Sequence, residues 1–172
     1  MTGVDSELVI LTFDSPDAAE QGFGTLQTLE AEGFLEIDEC ALLSRDAQGS
    51  VTAKRADHDE TRRKATFGGV IGLFVGGVIG LPVLGLLAGA GGAARLKDDA
   101  DRMEELITSV GSDMERGSGV LALTVASLND PAVIAERLHV DRDGLVNVQI
   151  PAALRAEIER ALKQRGLRFG DR

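Results

Sequence analysis

Between Lys64 and Arg95 the chain runs for thirty residues, Ala65 to Ala94, without a charge, and ten of these are glycine. Four of the glycines, Gly68, Gly72, Gly76 and Gly80, recur at every fourth position, which sets them on one ridge of an α-helix. Each glycine in a helix interior costs ~0.8–1 kcal/mol relative to alanine, so the run carries a penalty on the order of several kcal/mol. An isolated helix in water does not persist under that load. Glycine compensates only where it lets a second backbone come close.

Pro82 divides the run, and proline begins a helix but disrupts its interior. The pattern therefore predicts a helical hairpin: a first arm from about Asp59 to Gly80, a turn at Leu81-Pro82, and a second arm from about Val83 to Met114, bent at Gly91-Gly92. The ridge Gly68/Gly72/Gly76/Gly80 then faces Gly85, Gly89 and Ala93, and these glycines are the expected helix-packing and oligomerisation positions. Val70, Phe74, Val78, Leu84 and Leu87 point elsewhere and need a home. One span would divide the protein across the bilayer, yet Arg62, Arg63 and Lys64 flank one end and Arg95 and Lys97 the other, against the positive-inside bias. Two spans fail on length, because an arm of roughly fifteen residues reaches only ~22 Å of the ~30 Å hydrocarbon core. A hairpin dipping into one leaflet behind this basic collar, or one buried against identical hairpins, fits better.

On either side the chain reads as strand and helix. Glu7 to Phe13 is a short apolar strand, and Asp14-Ser15-Pro16 opens a helix to about Glu32 with Ala19, Phe23, Leu26 and Leu29/Glu30 inward and Gly33 at its end. Phe34–Ser44 and Val51–Arg55 form a hairpin across Asp46-Ala47-Gln48-Gly49. After the insert come a helix with its seam at Leu96, Met103, Leu106, Ile107 and Val110, a strand at Val120–Ala126, and a second helix start at Asn129-Asp130-Pro131. A strand at Leu145–Ile150 and a final helix from Pro151 with Leu154, Ile158, Ala161 and Leu162 on one face complete it. Two β-α-β units imply an α+β fold, a ferredoxin-like sandwich with each helix covering one face of a mainly antiparallel sheet. Its parts are 1–56, the insert 57–116 with its tip at 65–94, and 117–172.

A net charge of −10 disfavours nucleic acid as a partner, since phosphates demand a basic face. The single cysteine, Cys40, excludes an internal disulfide and a multi-cysteine zinc site and fits a reducing compartment. With no cleavable signal visible near the N-terminus, the expected location is the cytoplasm or the cytoplasmic face of the cell membrane. Asp57-His58-Asp59-Glu60 and the acids Asp98, Asp99, Asp101, Glu104 and Glu105 read as solvated helix surface rather than metal ligands. No neighbour in sequence activates Cys40, which reads as a core residue. His139 closes a helix, where a cation is welcome. Gly89-Ala90-Gly91-Gly92 follows no strand and lacks the lysine of a phosphate loop. No catalytic constellation, cofactor site or metal site emerges. The run Leu145–Gly166 resembles the strand and first helix of a ribbon-helix-helix DNA binder, with Arg155, Arg160, Lys163, Arg165 and Arg168, but no second helix follows.

The order of LVILTFDSPDAAEQG, GGVIGLFVGGVIGLPVLGLLAGAGGA, DDADRMEELITSV and GSGVLALTV resembles a bacterial family of uncharacterised proteins classed with membrane proteins, over about residues 5–150. The resemblance implies a ferredoxin-like body interrupted by a glycine-zipper hairpin, membrane association or self-assembly, and a setting in stress physiology. It brings no catalytic residues. The resulting expectation is a non-enzymatic homo-oligomer, with a soluble ligand-binding sensor as the alternative and a DNA-binding tail behind both.

Overall fold

A computed structural model of the protein describes residues 6–56, 69–79, 94–141 and 144–164. Within them the fold is mixed α+β, with five antiparallel strands in one open sheet and five helices. In chain order these are β1 (Ser6–Phe13), α1 (Pro16–Ala31), β2 (Leu35–Arg45), β3 (Val51–Arg55), α2 (Gly69–Val78), α3 (Ala94–Asp113), β4 (Gly119–Leu128), α4 (Pro131–Arg137), β5 (Leu145–Ile150) and α5 (Ala152–Gln164). The strands lie in the order β3-β2-β4-β1-β5.

Local chemistry accounts for the boundaries. The Ser15 hydroxyl accepts from the Ala18 amide at 3.0 Å, and Pro16 follows as a preset first helical residue. Asp130 does the same for α4, its carboxylate accepting from the Val133 amide at 3.3 Å with Pro131 behind it. At the other end of α1, Gly33 takes φ +86° while its amide and that of Phe34 return to the carbonyls of Glu30 and Leu29. This left-handed closure is where glycine is the low-cost residue.

The sheet buries both faces. β4, the middle strand, is buried at every residue from Gly119 to Val125, and a strand covered on both sides reads as an unbroken apolar run rather than an alternating one. On one face Val9, Leu11, Leu121 and Leu123 meet Ala19, Leu26 and Leu29 of α1 together with Ile134 of α4 and Leu138 just after it. Both connecting helices thus share a single face. On the other, Leu8, Ile10, Ala41, Leu43, Val120 and Ala122 meet α2, α3 and α5. Arg45, at the end of β2, ties this second layer down by donating from Nη2 to the Gly111 carbonyl at 2.8 Å, a cation at the C-terminal turn of α3.

The close approach of α2 to α3 runs through Gly77, where a Cβ would stand 2.5 Å from Ile107 Cγ2. Gly77→Ala should therefore destabilise the fold by about 1–2 kcal/mol, overpacking outweighing the gain in helix propensity. Gly24, in the exposed middle of α1, has nothing within 4 Å of the same position. Gly24→Ala should stabilise by about 0.5–1 kcal/mol. Urea denaturation of the two variants beside the parent chain measures both signs.

Candidate functional site

The uncharged segment is the first place to look, and its described part is mostly buried, with Ile79 exposed at its end. In α2, Val70, Ile71, Gly72, Leu73, Phe74, Val75, Gly76 and Val78 are all buried. The six large side chains among them stabilise the packed state by roughly 1.5–3 kcal/mol each. The four glycines of α2 cost only about 1 kcal/mol each. Packing wins, so this stretch of the run is held by its own chain: Val70, Phe74 and Val78 find their home in the core beneath the sheet, not in lipid or in a second copy.

A Cβ on Gly111 would lie 3.8 Å from the Val78 carbonyl oxygen, so the end of α2 meets the last third of α3. The apolar face of β1, β2 and β4 gives α2 surface to bury that a lone partner helix would not. Gly72 and Gly76 lie in that core. Gly68, Gly80, Gly85, Gly89, the Leu81-Pro82 turn, Asp57–Glu60, Arg62, Arg63 and Lys64 lie outside the described residues. Of Arg95 and Lys97 only the helical backbone is described. Among the described residues no helix is long and apolar enough to cross a membrane.

Cys40 is fully buried, and burial, followed by the neighbouring charge of Glu39, pushes its thiol far above the ordinary range. It is a core residue facing α1. The acids of α3 stand partly or fully in solvent, and no three His, Cys, Asp or Glu side chains among the described residues converge to hold a metal.

A concave site does exist where the reading by sequence weighed the chemistry of only one residue, His139. Pairing of β5 with β1 in the register Leu11↔Leu145 brings the segment after α4 against the end of β1 and the first half of α1. Between them opens a cleft of about 300 Å³. Phe13, Gly22, Leu138 and Val140 make its apolar lining. Thr12, Asp14, Gln21 and Thr25 contribute polar groups from one wall, and Arg137, His139 and Asp141 from the other. Arg137 is spoken for, its two terminal nitrogens donating to the carboxylate of Glu32 at 3.0 and 3.4 Å.

His139 occupies the position in α4 that Gly33 occupies in α1. Its amide and that of Val140 return to the carbonyls of Glu136 and Ala135, and its φ is +54°. A residue with a Cβ held there stores on the order of 1–2 kcal/mol. Lone glycine or histidine near a helix end is a weak signal, and the cleft itself arises from residues more than a hundred positions apart, which is why sequence alone does not reveal it.

No model of a known protein family matches the chain, and comparison with curated proteins finds no match either.

Two outcomes follow. Cys40 should resist alkylation in the folded protein and react only at the rate of global unfolding. Its folded-state thiol is raised, so its contribution to stability is intact below the unfolded thiol value near ~8.5 and declines as pH climbs beyond it, by up to ~1.4 kcal/mol per unit. Denaturation midpoints between neutral and alkaline pH should show this slope in the parent and not in Cys40→Ala. His139→Gly should raise stability by about 1 kcal/mol through relief of the left-handed backbone, read as a higher Tm.

Proposed function

We propose that this is a non-enzymatic, self-associating protein whose body is ferredoxin-like and whose association segment is the remainder of the uncharged run, residues 80–93. The order β5-β1-β4-β2, with α1 and α4 together on one face and β3 added at the edge, supports the ferredoxin-like reading. The observation that carries the functional reading is the burial of α2. With Val70, Phe74 and Val78 consumed by the core, the large apolar residues left for association are the exposed Ile79 and, beyond it, Leu81, Val83, Leu84, Leu86 and Leu87.

Fourteen uncharged residues tethered between two helices reach only ~21 Å even as a helix, too short for a ~30 Å span. Self-contact, or shallow contact with the inner leaflet through the flanking basic residues, is the role that length permits. A homo-oligomer is the partner this predicts, and a stress-related setting is carried over from the family resemblance. A ligand-binding sensor that uses the segment as a dimerisation arm is the second reading, favoured by the cleft beside His139.

Leu84→Asp/Leu87→Asp tests the proposal. The paired variant should lose the parent's concentration-dependent growth in mass by sedimentation, while its Tm stays within a few degrees of the parent. A parent chain that is monomeric at every concentration and does not float with anionic vesicles would overturn it. Gly76→Leu is unsuited to this purpose, because Gly76 is buried in the monomer and the variant would unfold the body itself.

A further inference from the structure

We propose that the cleft between α1 and the turn joining α4 to β5 binds a small organic cation, a primary amine or guanidinium compound carrying a short apolar body. The site goes beyond self-association and depends on none of the residues assigned to it.

Its volume of about 300 Å³ lies at the lower end of the range in which proteins hold small molecules. The sign of the ligand follows from the charges on its walls. Arg137 is paired with the Glu32 carboxylate through both terminal nitrogens, which leaves Asp14 and Asp141 as the lining carboxylates without an ion pair among the described residues, with His139 on the Asp141 wall. Neither aspartate side chain makes an ion pair or a hydrogen bond among the described residues, and the same holds for the side chains of Thr12 and Gln21. These exposed groups stand at the mouth of one concavity, where a ligand can exchange with their water. Among the described lining residues an anion would meet two carboxylates, with the one arginine already paired to Glu32.

The apolar lining of the cleft favours an organic ligand over a bare ion. The body of that ligand is set by the other walls. Phe13, Leu138 and Val140 offer apolar surface, and the absence of a side chain on Gly22 is what lets the tip of the Phe13 ring press against α1, where a Cβ would stand 2.5 Å from its Cζ. An ammonium or guanidinium group at the mouth and a few methylenes or a ring on this floor satisfy both sets of groups. His139, retained at φ +54° where glycine would relax the backbone, lines the cleft beside Asp141. Residues held in such a conformation concentrate at binding sites.

The test is titration of the isotopically labelled full chain with phenethylamine, putrescine and agmatine, with phenylacetate as the anionic control, followed by amide NMR shifts at 0.15 M salt. The amines should produce saturable shifts confined to residues 12–25 and 137–141, and phenylacetate none. Asp14→Asn and Asp141→Asn should each weaken the amines about tenfold, a change of ~1.4 kcal/mol. Asp17→Asn removes the same charge one turn away but outside the cleft, and should change affinity less than twofold. Shifts spread over the acidic face of α3, equal binding of phenylacetate, or equal losses in Asp14→Asn and Asp17→Asn would overturn the assignment. None of these outcomes bears on whether the chain self-associates, which sedimentation reads separately.

Discussion

The structure depends on the contact between α2 and the second face of the sheet. A sheet whose central strand is buried at every residue from Gly119 to Val125 has two faces to cover, and α1 with α4 can cover only one. The other must be met by something equally apolar. Charged α3 supplies only a stripe, through Met103 and Ile107, and α5 supplies Leu154 and Ile158. The remaining gap is filled by a helix that is apolar all round, which is the character of the run from Gly69 to Val78. What reads in isolation as a membrane or assembly element is, over these ten residues, part of the layer that covers the second face of the sheet.

This relation also explains the glycines. A helix lying on a sheet and between two other helices has no solvent-facing side, and small residues admit the neighbours on its crowded flanks. Gly77 is the position at which α3 comes nearest, with Ile107 filling the space a side chain would occupy. Gly111 answers from α3, against the backbone at Val78. The four-residue ridge pointed to a helix with a close neighbour, but the described contact uses Gly77, one position off that ridge.

Much of the α+β body was legible in the sequence because its signals are local. Ser15-Pro16 and Asp130-Pro131 mark the helix starts, Gly33 marks a helix end, and the runs at β1, β4 and β5 are short, apolar and bounded by turns. The packing partner of α2 was not legible, because periodicity says that a helix has apolar sides and not what will cover them. The unbroken apolar character of β4 was the available clue, since it demanded layers on both faces of the sheet. The cleft was hidden for a related reason. Its walls, Thr12–Thr25 and Arg137–Asp141, are distant in sequence and meet only through the pairing of β1 with β5. The left-handed backbone of His139 leaves no mark in the sequence at all.

The central claim is that residues 69–78 belong to the folded monomer and not to a lipid or subunit interface. Amide hydrogen exchange at low protein concentration, without detergent or vesicles, addresses it most directly. The amides of Leu73 to Val78 should exchange as slowly as those of Leu121 to Val125 in β4, with free energies of opening that match global unfolding. Fast exchange of Leu73–Val78 in the dilute chain, slowed only by added vesicles or by raising the concentration, would contradict it.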